Sequence, residues 1–200
     1  MSMVRKPEFT GTLGFQRFFQ DLLHRRWRHR QFVGLVFLFL LVAFAEPYRA
    51  PRLFAPGATL ALLGILVRLW ASGHVKKDKE LATTGPYALV RHPLYVGNEL
   101  ILVGFCLASA LWWSALGWAV ISLLFYPPAI RHEDEVLHRL FGADWERWRA
   151  HTFALVPRWP EQGTKVFGRW SFTQSLKANG EPLIAALLLF FLYLIWLRLT

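Results

Sequence analysis

Five apolar runs, set apart by basic or turn-rich segments, constrain this 200-residue chain more than any other feature. They cover residues 32–45, 58–72, 94–111, 115–130 and 182–197. In a lipid core every backbone N–H and C=O must be satisfied within the chain, so such runs read as helices. Several are shorter than the roughly 20 residues a straight span needs. Flanking Trp, Arg and Lys extend a short span by reaching to the interface. The expected architecture is all-α: a polytopic membrane helical bundle of about five transmembrane helices. Ten Trp, 17 Phe and a mean hydropathy of +0.31 point the same way. A soluble domain of this size rarely carries so much apolar and aromatic surface.

The net charge of +10 is high for so apolar a chain. Basic residues cluster beside the apolar runs, at 24–30, 74–91 and 131–149, while the loop at 109–114 carries no Lys or Arg and the loop at 46–57 carries two, Arg49 and Arg52. With five spans and the N-terminus inside, all three clusters fall on the cytoplasmic side, as the positive-inside rule requires. Membrane lipids are therefore the expected partners of the charge, and nucleic acid is not. The first run, with its basic lead and Ala43-Phe44-Ala45, imitates a signal peptide. The lead is long for one, so a retained helix in an inner membrane of bacterial type is expected. Cys106 is the lone cysteine, and it sits in an apolar run like a small hydrophobe.

Residues 132–150 change character. Leu137, Phe141, Trp145 and Trp148 recur at helical spacing with charges between them, which predicts a cytoplasmic amphipathic helix. The organisation expected is a basic N-terminal segment over 1–30, a membrane core over 31–160 and, over 161–200, a polar linker with one further helix.

Three constellations carry candidate chemistry. In the first, Tyr87, Leu89, Val90, Arg91 and His92 lead into the third apolar run, which opens Pro93-Leu94-Tyr95-Val96-Gly97-Asn98-Glu99. Pro93 suits the first turn of a helix. Arg91, His92 and the helix N-terminus together could hold a carboxylate. Gly97 would let a flat ligand or another helix come close. Glu99 is an ionisable group at the membrane border, either functional or reaching to the interface. Arg68, near the end of the second run, is expected to reach the headgroups. The second constellation is Arg131-His132-Glu133-Asp134-Glu135. On sequence alone its acids more often mark a solvated helix start; the other reading is a ligand bearing an ammonium, a sulfonium and ribose hydroxyls. The third is Phe141-Gly142-Ala143-Asp144-Trp145, a turn that re-caps a helix, followed by Val156-Pro157-Arg158. His92, His132, Glu99 and Glu135 are the nearby groups able to take a proton. No metal-ligand spacing and no Rossmann glycine fingerprint is present.

Arg91-His92-Pro93-x-Tyr95-x-Gly97, Glu133-Asp134-x-x-Leu137, Phe141-Gly142, Trp145 and Val156-Pro157 resemble, in order and spacing, the isoprenylcysteine carboxyl methyltransferase and phospholipid methyltransferase superfamily. The likeness covers residues 83–160. It implies a membrane methyltransferase that uses S-adenosylmethionine at its cytoplasmic face and takes a lipidic or small hydrophobic acceptor from the bilayer. By the resemblance, Arg91, His92, Pro93, Tyr95, Gly97, Glu133 and Asp134, with Tyr87, Leu89 and Val90, hold the cofactor. Arg91, His92 and Glu99 become the catalytic candidates, and Asn98, Glu99 and Arg131 face the acceptor. Asp134 stands where the family often has a second Glu, and Trp145 and Trp148 replace family tyrosines. Gly142-Ala143-Asp144-Trp145 with Trp148 also resembles sterol reductases, which use NADPH. Those usually carry Asn after the His-Pro or His-Phe pair, where this chain has Leu94. A non-catalytic protein binding anionic lipid would explain the charge but not the clustered motif.

Overall fold

The computed structural model describes residues 27–75, 80–159 and 168–199. Most of the basic N-terminal segment, the lysines at 76, 77 and 79, and residues 160–167 of the linker lie outside the described residues. Every regular element among those described is helical. They are α1 (Trp27–Phe44), α2 (Phe54–Ser72), α3 (Pro93–Ser109), α4 (Ser114–Phe141), α5 (Ala143–His151), α6 (Phe172–Asn179) and α7 (Glu181–Trp196). Short 3-10 turns at Pro47–Arg49, Pro51–Leu53 and Gly85–Ala88 join them.

Local chemistry sets the boundaries. Pro93 opens α3, where its missing N–H costs nothing. Ser171 caps α6 by accepting from the Gln174 amide, and Gly180 at φ +63° ends it. Two sets of contacts define the ends of the bundle. At one end the Glu46 amide donates to Ser109 O, and the Arg198 guanidinium donates to Ala43 O and Ala45 O. The C-terminal ends of α1, α3 and α7 therefore meet there. At the other end the Ser171 amide donates to Gly73 O, and the Ser72 and Ser175 hydroxyls pair at 2.6 Å. That contact brings α6 onto the end of α2.

The tightest packing joins α2 to α3 through small residues. A Cβ on Gly57 would stand 2.5 Å from Ala108 N, one on Gly104 2.5 Å from Ala61 N, and one on Gly64 2.6 Å from Gly97 O. Backbones this close gain dispersion contacts that larger side chains would prevent. Phe105, Leu41 and Ile195 are fully buried and bring α3, α1 and α7 into one core.

The structure departs from expectation at residue 131. A separate amphipathic helix over 132–150 is not formed; α4 runs unbroken from Ser114 to Phe141, and α5 follows. Pro127 and Pro128 lie inside α4 without ending it. The break falls at Gly142, at φ +49° and ψ −121°, a conformation that glycine adopts without a Cβ clash. Asp144 and Glu146 then occupy the first turn of α5, where the helix dipole favours acids.

The outward faces are apolar: Phe39, Leu66, Leu123 and Leu183 are among many large side chains that stand exposed. The stretch Pro51–Ser72 is long and apolar enough to cross a membrane. Phe32–Phe44, Pro93–Ser109 and Glu181–Trp196 are apolar but shorter.

Candidate functional site

The site begins with two chain segments that bind each other. The amides of Arg91 and His92 donate to Phe153 O and Ala154 O, at 2.8 and 3.1 Å. In return the Arg158 amide donates to Leu89 O at 2.8 Å. Residues 153–158 thus lie as a strap along residues 89–92. The indole of Trp148, on α5, donates to Tyr87 O at 3.1 Å and pins the buried Gly85–Ala88 turn beneath the strap. Trp148→Phe removes that donor and keeps an aromatic ring. We expect it to cost about 1 kcal/mol of stability, read by chemical unfolding in detergent; an unchanged midpoint would show that the bond carries no weight.

On this platform the two clusters that lie far apart in sequence meet. His92 Nε2 lies 3.0 Å from Asp134 Oδ1, across 42 positions of chain. Its Nδ1 is 3.9 Å from Glu133 Oε2, and Arg91 NH2 is 3.6 Å from Asp134 Oδ2. A carboxylate only accepts, so Nε2 carries a proton toward Asp134. Arg91 also donates to Thr152 O at 3.2 Å. Burial lowers the pKa of its guanidinium, the Asp134 carboxylate opposes that, and neighbouring Arg149 adds to it. Burial likewise pushes the Tyr87 hydroxyl upward, with Glu133 adding, so the phenol stays neutral.

The remaining candidates divide. Tyr95 sets its ring edge-on to His92 and to Tyr126 of α4, at 5.8 and 5.4 Å between centroids. Glu99 accepts from the Trp118 indole at 2.6 Å. Pro93 and Val90 are buried, and Leu89 contributes its carbonyl to the strap. Arg131, His132 and Glu135 are exposed. Of the two approaches Gly97 could admit, the neighbouring helix is present: a Cβ there would stand 2.5 Å from Arg68 Cγ and 2.9 Å from the Gly64 carbonyl. One expectation needs correction: Arg68 does not reach outward to headgroups. It donates to Asn98 and forms a buried ion pair with Glu181. Sequence inspection missed Thr152, Trp118 and Glu181 as partners. Only the acid opening the last apolar run hinted at the third.

A cleft of about 600 Å³ opens beside the cluster, lined by Arg131, Asp134, Glu135, His138, Trp145 and Arg149 among others. Small-molecule sites span roughly 300–1,000 Å³. Among the described residues two buried donors near the cluster lack protein partners, the Trp145 indole N–H and Arg91 Nε. Buried donors left unmet by protein are met by an ordered water or by a ligand. Acids and cations share the wall, which suits a zwitterion. Among the described residues no group of three or more His, Cys, Asp or Glu could hold a metal ion.

Comparison with known proteins bears on the same stretch. Residues 54–144 match the family described as phospholipid methyltransferase. This segment belongs to that family. The phospholipid methyltransferase segment therefore includes α2, α3, α4 and both converging clusters. The family is membrane-associated. The chain is 39% identical over 107 residues to nickel-cobalt-cadmium resistance protein NccN of Alcaligenes xylosoxydans xylosoxydans, covering 51% of this chain and 47% of that protein. It is 38% identical over 109 residues to cobalt-zinc-cadmium resistance protein CzcN of Cupriavidus metallidurans, covering 50% and 49%. Protein-S-isoprenylcysteine O-methyltransferase of Schizosaccharomyces pombe is 32% identical over 84 residues, covering 42% and 36%. The chain thus spans about half the length of the first two relatives. No solved structure matches it.

Proposed function

We propose that the chain is a polytopic membrane methyltransferase that uses S-adenosylmethionine to methylate a lipidic or small hydrophobic acceptor. The observation that carries this is the convergence of Arg91 and His92 with Glu133 and Asp134 beside a cleft that Asp134 also lines. The apolar outer faces of α1, α2, α4 and α7 support a bundle bathed in lipid. The basic clusters support a cytoplasmic site and N-terminus, in an inner membrane of bacterial type.

In this proposal Asp134, Glu133 and Glu135 hold the cationic and hydroxyl groups of the cofactor. Arg91 and the Trp145 indole take its acceptor groups. When bound, S-adenosylmethionine supplies the methyl group as an electrophilic carbon on a sulfonium. The residues of the chain align and shield rather than activate it, because in-line displacement gains most from position and from exclusion of water. Asp134 fixes the His92 tautomer, leaving Nδ1 as the base for an acceptor that must lose a proton. Tyr95, Asn98 and Glu99 line the acceptor's approach along α3, and Arg131 stands at the mouth of the cleft. The domain plan follows: residues 31–160 form the methyltransferase core, with the cofactor held by 83–160.

Titration calorimetry on the full chain in neutral detergent tests the proposal. S-adenosylmethionine is expected to bind with one site per chain, and NADPH is expected not to bind. Binding of NADPH in its place would indicate a reductase. Binding of neither, with retention on acidic liposomes, would leave a lipid-binding protein.

A further inference from the structure

The C-terminal helix α7 lies outside the phospholipid methyltransferase segment, yet it supplies the carboxylate that Arg68 requires. Arg68 sits on α2, inside that segment. Its aliphatic stem crosses Gly97, where a Cβ would stand 2.5 Å from Arg68 Cγ. The guanidinium then reaches two partners. Nε and NH2 donate to Glu181 Oε2 and Oε1 at 3.0 and 2.5 Å, a two-armed pair whose side chains are only 15% and 6% exposed. NH1 donates to Asn98 Oδ1. A buried ion pair adds little net stability against an apolar alternative. What it does provide is a guanidinium plane held in one orientation.

That orientation fixes Asn98. A guanidinium has no acceptor, so the carboxamide must turn its oxygen to Arg68 and its NH2 away. No described protein group accepts from this NH2, and it is not sealed from the accessible surface. Asn98 adjoins Glu99 and follows Tyr95 within one turn of α3, and the Tyr95 ring leads to His92. Electrostatics link the same groups, since Tyr87 senses both Arg68 and Glu181.

We infer that Glu181 and Arg68 are positioning residues that hold the Asn98 NH2 as a hydrogen-bond donor to an oxygen on the acceptor's head. The appended helix is thus a working wall of the acceptor side. The inference rests on the methyltransferase reading above.

The test uses the full chain in detergent, S-adenosylmethionine labelled in its methyl group, and total lipid extract of the expression host as acceptor. Asn98→Asp keeps an oxygen for Arg68 and removes the donor. Glu181→Gln loosens the hold on Arg68. Each is expected to raise KM for the lipid extract about tenfold, with kcat and S-adenosylmethionine affinity nearly unchanged. The double variant is expected to be no worse than Asn98→Asp alone, because both changes break one relay. Glu181→Asp, which keeps the charge, is expected to recover part of the loss. Should Glu181→Gln fail to fold, Arg68→Lys takes its place, since it keeps the charge and loses the second arm. Additive losses, an unchanged KM, or a parallel fall in cofactor affinity would overturn the inference while leaving the methyltransferase standing. If the unaltered chain transfers no label, the methyltransferase reading fails and takes this inference with it.

Discussion

Asp134→Asn is expected to weaken S-adenosylmethionine binding about thirtyfold, roughly 2 kcal/mol, the scale of a lost charge-assisted contact. Asp134 is the hinge of the cluster: one oxygen accepts from His92 and the other faces Arg91. Asn keeps the shape and removes the charge, so the His92 tautomer is no longer dictated and a bound cation loses its counterpart. Arg91→Ala is expected to act in the same direction. Glu133→Ala should cost less, because that side chain is 47% exposed and stands 3.9 Å from His92. Calorimetry on variants that elute like the unaltered chain checks the ordering. Affinity in both Asp134→Asn and Arg91→Ala equal to that of the unaltered chain would remove the cofactor from this cluster altogether.

The second large effect concerns folding. Gly104→Leu places a branched side chain where even a Cβ would lie 2.5 Å from Ala61 N and 2.6 Å from Gly57 O. Both neighbours are backbone, so α2 and α3 must separate. Overpacking typically costs about 1–3 kcal/mol; here the loss extends along the whole seam, and we expect most of the protein to leave the monodisperse fraction on size exclusion in detergent. Gly34→Ala on α1 is the control, because no described atom lies within 4 Å of its Cβ. Removing a helical glycine should raise its thermal midpoint slightly. A Gly104→Leu chain as stable as the control would mean that α2 and α3 do not meet as described.

Hydropathy located the helices well, because apolar runs bounded by Pro, Gly and charge leave few alternatives. It misplaces the boundary near residue 131, where polarity changes but the backbone does not. The backbone breaks where φ turns positive, at Gly142, and the charged half of α4 simply continues the apolar half. The meeting of Arg91 and His92 with Glu133 and Asp134 was legible only through the resemblance. Composition alone favours a solvated helix start for the acids. The Arg68–Glu181–Asn98 relay was not legible, because nothing local marks a pair 113 residues apart. Gly97 showed the same limit: its spacing announced a close approach but not what approaches.

The strap over residues 89–92 bears on how the molecule can be divided. Residues 153–158 lie beyond the end of the phospholipid methyltransferase segment at 144, yet they accept the amides of Arg91 and His92. A fragment cut at the edge of the aligned stretch would strand both amides and withdraw the Thr152 carbonyl from the guanidinium. It would also lose the indole that secures the turn beneath. The portion that matches the family is therefore smaller than the portion that can be excised or transplanted intact. Chimeras built with those relatives should keep residues 153–158 together with residues 89–92, and Glu181 together with Arg68.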